Sequence, residues 1–111
     1  MNKRTKQLQF SQKTIKKIAE RDQGCVLCKL GYSTEGVDSF ALYIKDPMHI
    51  INKSQGGLGI EQNGALGCRY HHHLLDNGNE GLRQQMQESL RDYMKSIYPD
   101  WNPDNLVYKK Y

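Results

Sequence analysis

Apolar residues recur with a helical step soon after the start of the chain. Ile15, Ile18 and Ala19 fall on one side of the segment and lysines on the other, until Gln23-Gly24 breaks the pattern. This predicts an amphipathic helix with Ser11 as its N-cap and a glycine stop. Residues 31–39 have no period and read as loop, whereas Phe40-Ala41-Leu42-Tyr43-Ile44 is rich enough in aromatic and branched residues to predict a strand. Asp46-Pro47 predicts an interruption, Met48-His49-Ile50-Ile51 the next extended piece, and residues 54–59 a glycine-rich loop. Residues 68–76 fit one to two turns of helix, stopped by Asn77-Gly78. The clearest period comes last. Leu82, Met86, Leu90, Tyr93, Met94 and Ile97 predict a helix over 79–97 whose stripe belongs to the core. Pro99 and Pro103 end it, and Leu106, Val107 and Tyr108 are expected to pack a short tail back onto the domain.

Composition narrows the picture. A chain of 111 residues with 37% hydrophobic content predicts a single domain with a modest core. Such a domain gains from an added constraint, and a bound metal supplies folding free energy on the order of 10 kcal/mol. Three cysteines are an odd number, no signal-peptide pattern opens the chain, and no run of about 18 apolar residues is present. A reduced, cytoplasmic setting is therefore expected, with the cysteines ligating metal rather than forming disulfides. The net charge of +4 is uneven: Lys3, Arg4, Lys6, Lys13, Lys16, Lys17 and Arg21 face only Glu20 and Asp22 within residues 1–22. A basic footprint of this kind sits on phosphates by counterion release, or is a solvated helix face with a basic tail over residues 1–10.

Every cysteine and histidine of the chain lies between positions 25 and 73. Cys25-x2-Cys28 and Cys68-x2-His71 are two knuckle-like pairs, a spacing that suits one tetrahedral zinc because each short turn aims two donors at one point. His49, His72 and His73 are then left for other chemistry. On the helix over 68–76, His72 and Asp76 are four residues apart and share a face. The glycines at 56, 57 and 59 lack the Lys-Ser/Thr that follows a phosphate loop, so they predict a flexible loop spanning the site.

The order Cys25-x2-Cys28, His49-Ile50-Ile51, Lys53-Ser54-Gln55-Gly56-Gly57, Asn63, Cys68-x2-His71-His72 resembles the zinc-knuckled branch of the HNH (His-Asn-His) endonucleases, over residues 14–78. The segment from Gly56 to Asn63 also resembles small HNH proteins of phages and prophages. The resemblance implies an α+β chain: a small ββα-metal (His-Me finger) core over 11–78, stapled by structural Zn²⁺ on Cys25, Cys28, Cys68 and His71, with flanking N- and C-terminal helices. It implies that His49 is the general base, that Asn63 belongs to the site as orienter or ligand, and that His72 ligates a catalytic cation. Asp76 stands where many relatives carry a further His ligand, and a carboxylate there favours Mg²⁺ or Mn²⁺.

Two positions depart from the family pattern. His71 replaces the more usual Cys, a mild change, since Cys₃His zinc sites are ordinary. Met48 stands where many relatives carry an Asp or His that helps hold the metal. The expected function is metal-dependent hydrolysis of DNA phosphodiester bonds in a bacterial host cell. Duplex DNA would be held by Lys13, Lys16, Lys17, Arg21, Lys53 and Arg69, and a phage packaging or recombination protein is the implied partner. Met48 sustains a second reading, a catalytically silent HNH-like module that binds DNA or regulates a nuclease. A zinc-binding transcription factor fits less well, because the only strongly basic helix precedes the first knuckle.

Overall fold

The computed structural model describes residues 3–31, 45–77 and 82–109, with the backbone alone at 76 and 77. The strand expected at 40–44 and most of the loop before it lie outside the described residues. The helices are α1 (Lys3–Leu8), α2 (Gln12–Asp22), α3 (Val26–Lys29), α4 (Arg69–Asn77) and α5 (Leu82–Ile97). One antiparallel pair, β1 (Lys45–His49) and β2 (Gly64–Cys68), forms the sheet. Short 3-10 turns occupy Lys53–Gln55, Glu61–Asn63 and Pro103–Asn105. The fold is thus a small α+β domain, and no helix among the described residues is long and apolar enough to cross a membrane.

α2 begins and ends where its sequence requires. The Ser11 hydroxyl accepts the Thr14 N–H at 3.1 Å, and Gln23 adopts the left-handed conformation (φ 54°) while its N–H closes on the Ala19 carbonyl. Ile18 is fully buried, and Lys13, Lys16 and Lys17 point to solvent. Residues 3–8, expected as a basic tail, form α1 instead. Leu8 anchors this helix in the core, and the Gln7 carbonyl accepts the Gly59 N–H at 2.9 Å.

Asp46 and Pro47 do not interrupt β1. In the register Pro47 faces Leu66, and the Leu66 N–H is directed to the Asp22 carboxylate at 2.8 Å. Positions 47 and 66 therefore form a non-hydrogen-bonded pair, where a proline removes no ladder bond. β2 has a poor strand composition, yet all five of its residues are buried. Its glycines are required by close approach: a Cβ at Gly67 would strike the Met48 side chain, and one at Gly64 would strike Phe10 and Ile18.

The core lies between this sheet, α3, α4 and α5, where Leu27, Met48, Ile50, Leu75, Met86, Leu90 and Met94 are fully buried. Burying each such side chain contributes roughly 1.5–3 kcal/mol. The C-terminal segment returns as expected. Trp101 donates its indole N–H to the Gln62 carbonyl, Leu106 accepts from Leu58, and the Tyr108 N–H bonds the Gly56 carbonyl at 2.7 Å. These bonds correct the expectation of a flexible glycine loop over 54–59. Gly57 packs so closely on the Ile51 carbonyl, and Gly59 on the Gln9 backbone, that neither position has room for a Cβ.

Candidate functional site

The two knuckles converge. Cys25 is at the N-cap of α3 and Cys28 inside it, Cys68 ends β2, and His71 lies in the first turn of α4. Their four donor atoms all lie within 4.8 Å of one another. His71 Nδ1 is 3.5 Å from Cys25 Sγ, 3.4 Å from Cys28 Sγ and 3.4 Å from Cys68 Sγ, and the Cys28 and Cys68 sulfurs are 3.8 Å apart. A tetrahedron with zinc–sulfur bonds of about 2.3 Å and a zinc–nitrogen bond of about 2.0 Å has edges of about 3.8 Å and 3.5 Å. The donor spacing matches that tetrahedron, and the cluster can hold a zinc ion. Burial, followed by hydrogen bonding and charge from Cys25 and then Cys68, pushes the Cys28 thiol up to about 12. Thiolates gather here only when a cation offsets their charge.

His72, the next residue, lines a different space. With Phe10, Pro47, His49, Asn52, Lys53 and Ser54 it encloses a cleft of about 380 Å³. Consecutive residues of a helix diverge by about 100°, which is why His71 serves the cluster and His72 the cleft. His49 enters from the end of β1. Its Nε2 is 2.8 Å from the Leu8 carbonyl, and its ring lies 4.2 Å from that of Phe10, tilted by 37°. His73 is exposed.

Asn63 is fully buried beneath the cleft rather than lining it. Its Oδ1 accepts the Ile51 N–H at 2.8 Å, and its Nδ2 donates to the carbonyls of Ile51 (3.1 Å) and Leu58 (2.8 Å). The carboxamide clamps the chain that leaves His49. Met48 is also fully buried, on the face of β1 opposite His49, and supplies nothing to the cleft. Among the described residues, only the cysteine-histidine cluster gathers three or more metal-capable side chains. The Asp76 side chain, expected as a cation ligand, lies outside those described.

The expected phosphate contacts divide. Lys13, Lys16, Lys17, Lys53 and Arg69 are exposed, and Lys17 makes a surface ion pair with Glu61 at 3.4 Å. Arg21 is a correction. Its five N–H groups are met by five acceptors: both Asp22 carboxylate oxygens, the Glu61 and Gly64 carbonyls, and the Tyr98 hydroxyl. Burial works against its charge, but Asp22 and Tyr98 outweigh that and hold its pKa above the ordinary arginine value. A guanidinium so fully engaged has no donor left for a phosphate. Asp22, in turn, accepts from Tyr93 at 2.6 Å and from Leu66. Its side chain is completely buried, and it ties α2 to both β2 and α5.

Sequence reasoning missed Phe10, Asn52 and Ser54 as cleft residues and Asp22 as the partner that consumes Arg21. No local spacing marks any of them. Comparisons with protein-family models, with characterised proteins and with solved structures find no match.

Proposed function

We propose that this protein is a metal-dependent DNA endonuclease of the HNH type, built on a ββα-metal core that zinc staples through Cys25, Cys28, Cys68 and His71. The observation that carries the reading is the shared cleft: two histidines from separate elements, His49 and His72, line one opening with Lys53, Asn52 and Ser54. The order of these residues in the chain supports it further, since it is the order of the family motif.

In this reading a DNA phosphodiester lies in the cleft, with Lys53 and the exposed lysines of α2 along its backbone. His49 takes a proton from a water that attacks phosphorus in line with the departing 3′ oxygen. Imidazole suits this because it titrates near neutral pH. A Mg²⁺ or Mn²⁺ ion held by His72, with Asp76 one helical turn on, would neutralise charge on the phosphate and the leaving oxygen. Among the described residues, His72 would be the side chain that donates to that ion. Asn63 acts by holding the strand-to-loop junction after His49.

The test is plasmid nicking across a Mg²⁺ and Mn²⁺ series. His49→Ala is expected to lose cleavage by about 10²-fold or more while keeping its zinc and its melting temperature. Cleavage by His49→Ala at the wild-type rate would sink the assignment. The burial of Met48 favours one alternative, a silent module that binds DNA. That alternative is met if wild-type protein retains DNA without added Mg²⁺ or Mn²⁺ and nicks it with neither.

A further inference from the structure

The end of α1 and the two residues that follow it form the surface against which His49 rests. We infer that residues 8–10 are a positioning element for His49: the Leu8 backbone carbonyl selects the tautomer of the imidazole, and the Phe10 ring sets its plane. The role in cleavage rests on the function proposed above, whereas the tautomer does not.

The chemistry is simple. A backbone carbonyl only accepts, so at 2.8 Å the Nε2 of His49 carries the proton and donates it to Leu8. In the neutral ring Nδ1 is then the basic nitrogen. Phe10, at 4.2 Å between ring centroids, restricts rotation about the last side-chain bond and keeps the ring edge aligned with the cleft that Phe10 itself lines. A base must be held within a few tenths of an ångström to work, and a side chain at the end of a strand needs such support.

The segment that provides it is itself fixed by the core. Leu8 is buried, the Gly59 N–H holds the Gln7 carbonyl at 2.9 Å, and the Gln9 and Phe10 backbone lies where a Cβ on Gly59 would be. The Phe10 ring occupies the space over Gly64 that a side chain would fill. Two glycines, from separate parts of the core, therefore form the seat for this segment. Gly59→Ala pushes the segment off its seat without touching His49, and Phe10→Ala removes the stacked ring.

The experiment uses full-length, zinc-loaded protein with ¹⁵N-labelled histidine, read by long-range ¹H–¹⁵N spectra at a pH where His49 is neutral. Wild type is expected to show His49 protonated on Nε2. Gly59→Ala is expected to shift His49 to a mixture of tautomers while the His71 signals stay in place. In cleavage, Phe10→Ala should lower kcat by about ten-fold or more with KM for DNA unchanged, and Phe10→Tyr should restore it. A wild-type His49 protonated on Nδ1 overturns the inference, as do wild-type spectra and kcat in both variants. If the His71 signals show that Gly59→Ala has not folded, Phe10→Ala decides by the same readouts. Full activity of His49→Ala together with the Nε2–H tautomer would support the positioning and remove the nuclease reading, so the two fail separately.

Discussion

The zinc-capable cluster and the His49 cleft draw on adjacent residues of α4, yet they are built in opposite ways. At the cluster, His71 is fully buried, all four donors are side chains, and their spacing closes a tetrahedron. At the cleft, His72 and His49 are half-buried, His49 meets a backbone carbonyl and an aromatic ring, and the opening faces solvent. A closed coordination sphere stabilises and leaves no position for a substrate; an open, partly lined site leaves room for one. The difference separates a closed, metal-capable cluster from an open cleft.

Four measurements break or sharpen that contrast. The largest effect is expected from Cys68→Ala, which removes one ligand and with it metal stabilisation on the order of 10 kcal/mol. Far-UV circular dichroism should show an unfolded chain, and chelator-treated wild type should match it, whereas His49→Ala should melt as wild type does. A folded Cys68→Ala would mean that the cluster is not the staple.

Next comes Asp22→Ala, which strikes β2, the strand that carries Cys68 and pairs with the strand of His49. It leaves the Arg21 charge, the Tyr93 hydroxyl and the Leu66 N–H without their buried partner. A loss of about 3–5 kcal/mol in urea denaturation is expected. The exposed Lys17 and Glu61 pair is a control, since Lys17→Ala should cost less than about 1 kcal/mol.

Asn63→Ala acts on the cleft side alone. It strands the Ile51 N–H and two carbonyls, at a cost of about 1–3 kcal/mol. Zinc content should be unchanged while cleavage falls. Equal loss of zinc and activity would show that the two regions are not separable.

The smallest effect is a pH dependence. Burial first, and then the hydrogen bond and charge of Asp22, push the Tyr93 hydroxyl up to about 12, against about 10 in the unfolded chain. Between those values the folded state keeps a proton that the unfolded state releases. The Tyr93 contribution is therefore complete below about pH 10 and is lost as the pH rises to 12. Denaturation at pH 9 and pH 11 should show a drop in wild type that is smaller in Tyr93→Phe. Equal drops in the two proteins would place the loss elsewhere.

The parts that could be read from the chain are those with short-range causes. α2 follows from a helical step, a hydroxyl cap and a glycine stop, α5 from its helical step and the prolines beyond it, and both knuckles follow from donors three residues apart. Pro47 could not be placed inside a strand without knowing that its partner Leu66 turns its N–H to Asp22. β2 could not be read from Gly64-Ala65-Leu66-Gly67, because its stability comes from what covers it. Arg21 looked like its lysine neighbours, and only the return of Glu61, Gly64 and Tyr98 makes it a buried clamp.

The sequence by itself determined the four-donor cluster, the main helices, and the residue types available for acid–base chemistry near neutral pH. Tertiary structure alone decided which histidine faces the sulfurs and which the cleft, that Asn63 holds a loop, and that a carbonyl 41 positions before His49 meets its ring nitrogen. The reason is physical. Periodicity and ligand spacing are properties of neighbouring bonds, whereas a hydrogen-bond partner or an available guanidinium depends on which distant segment folds back to meet it.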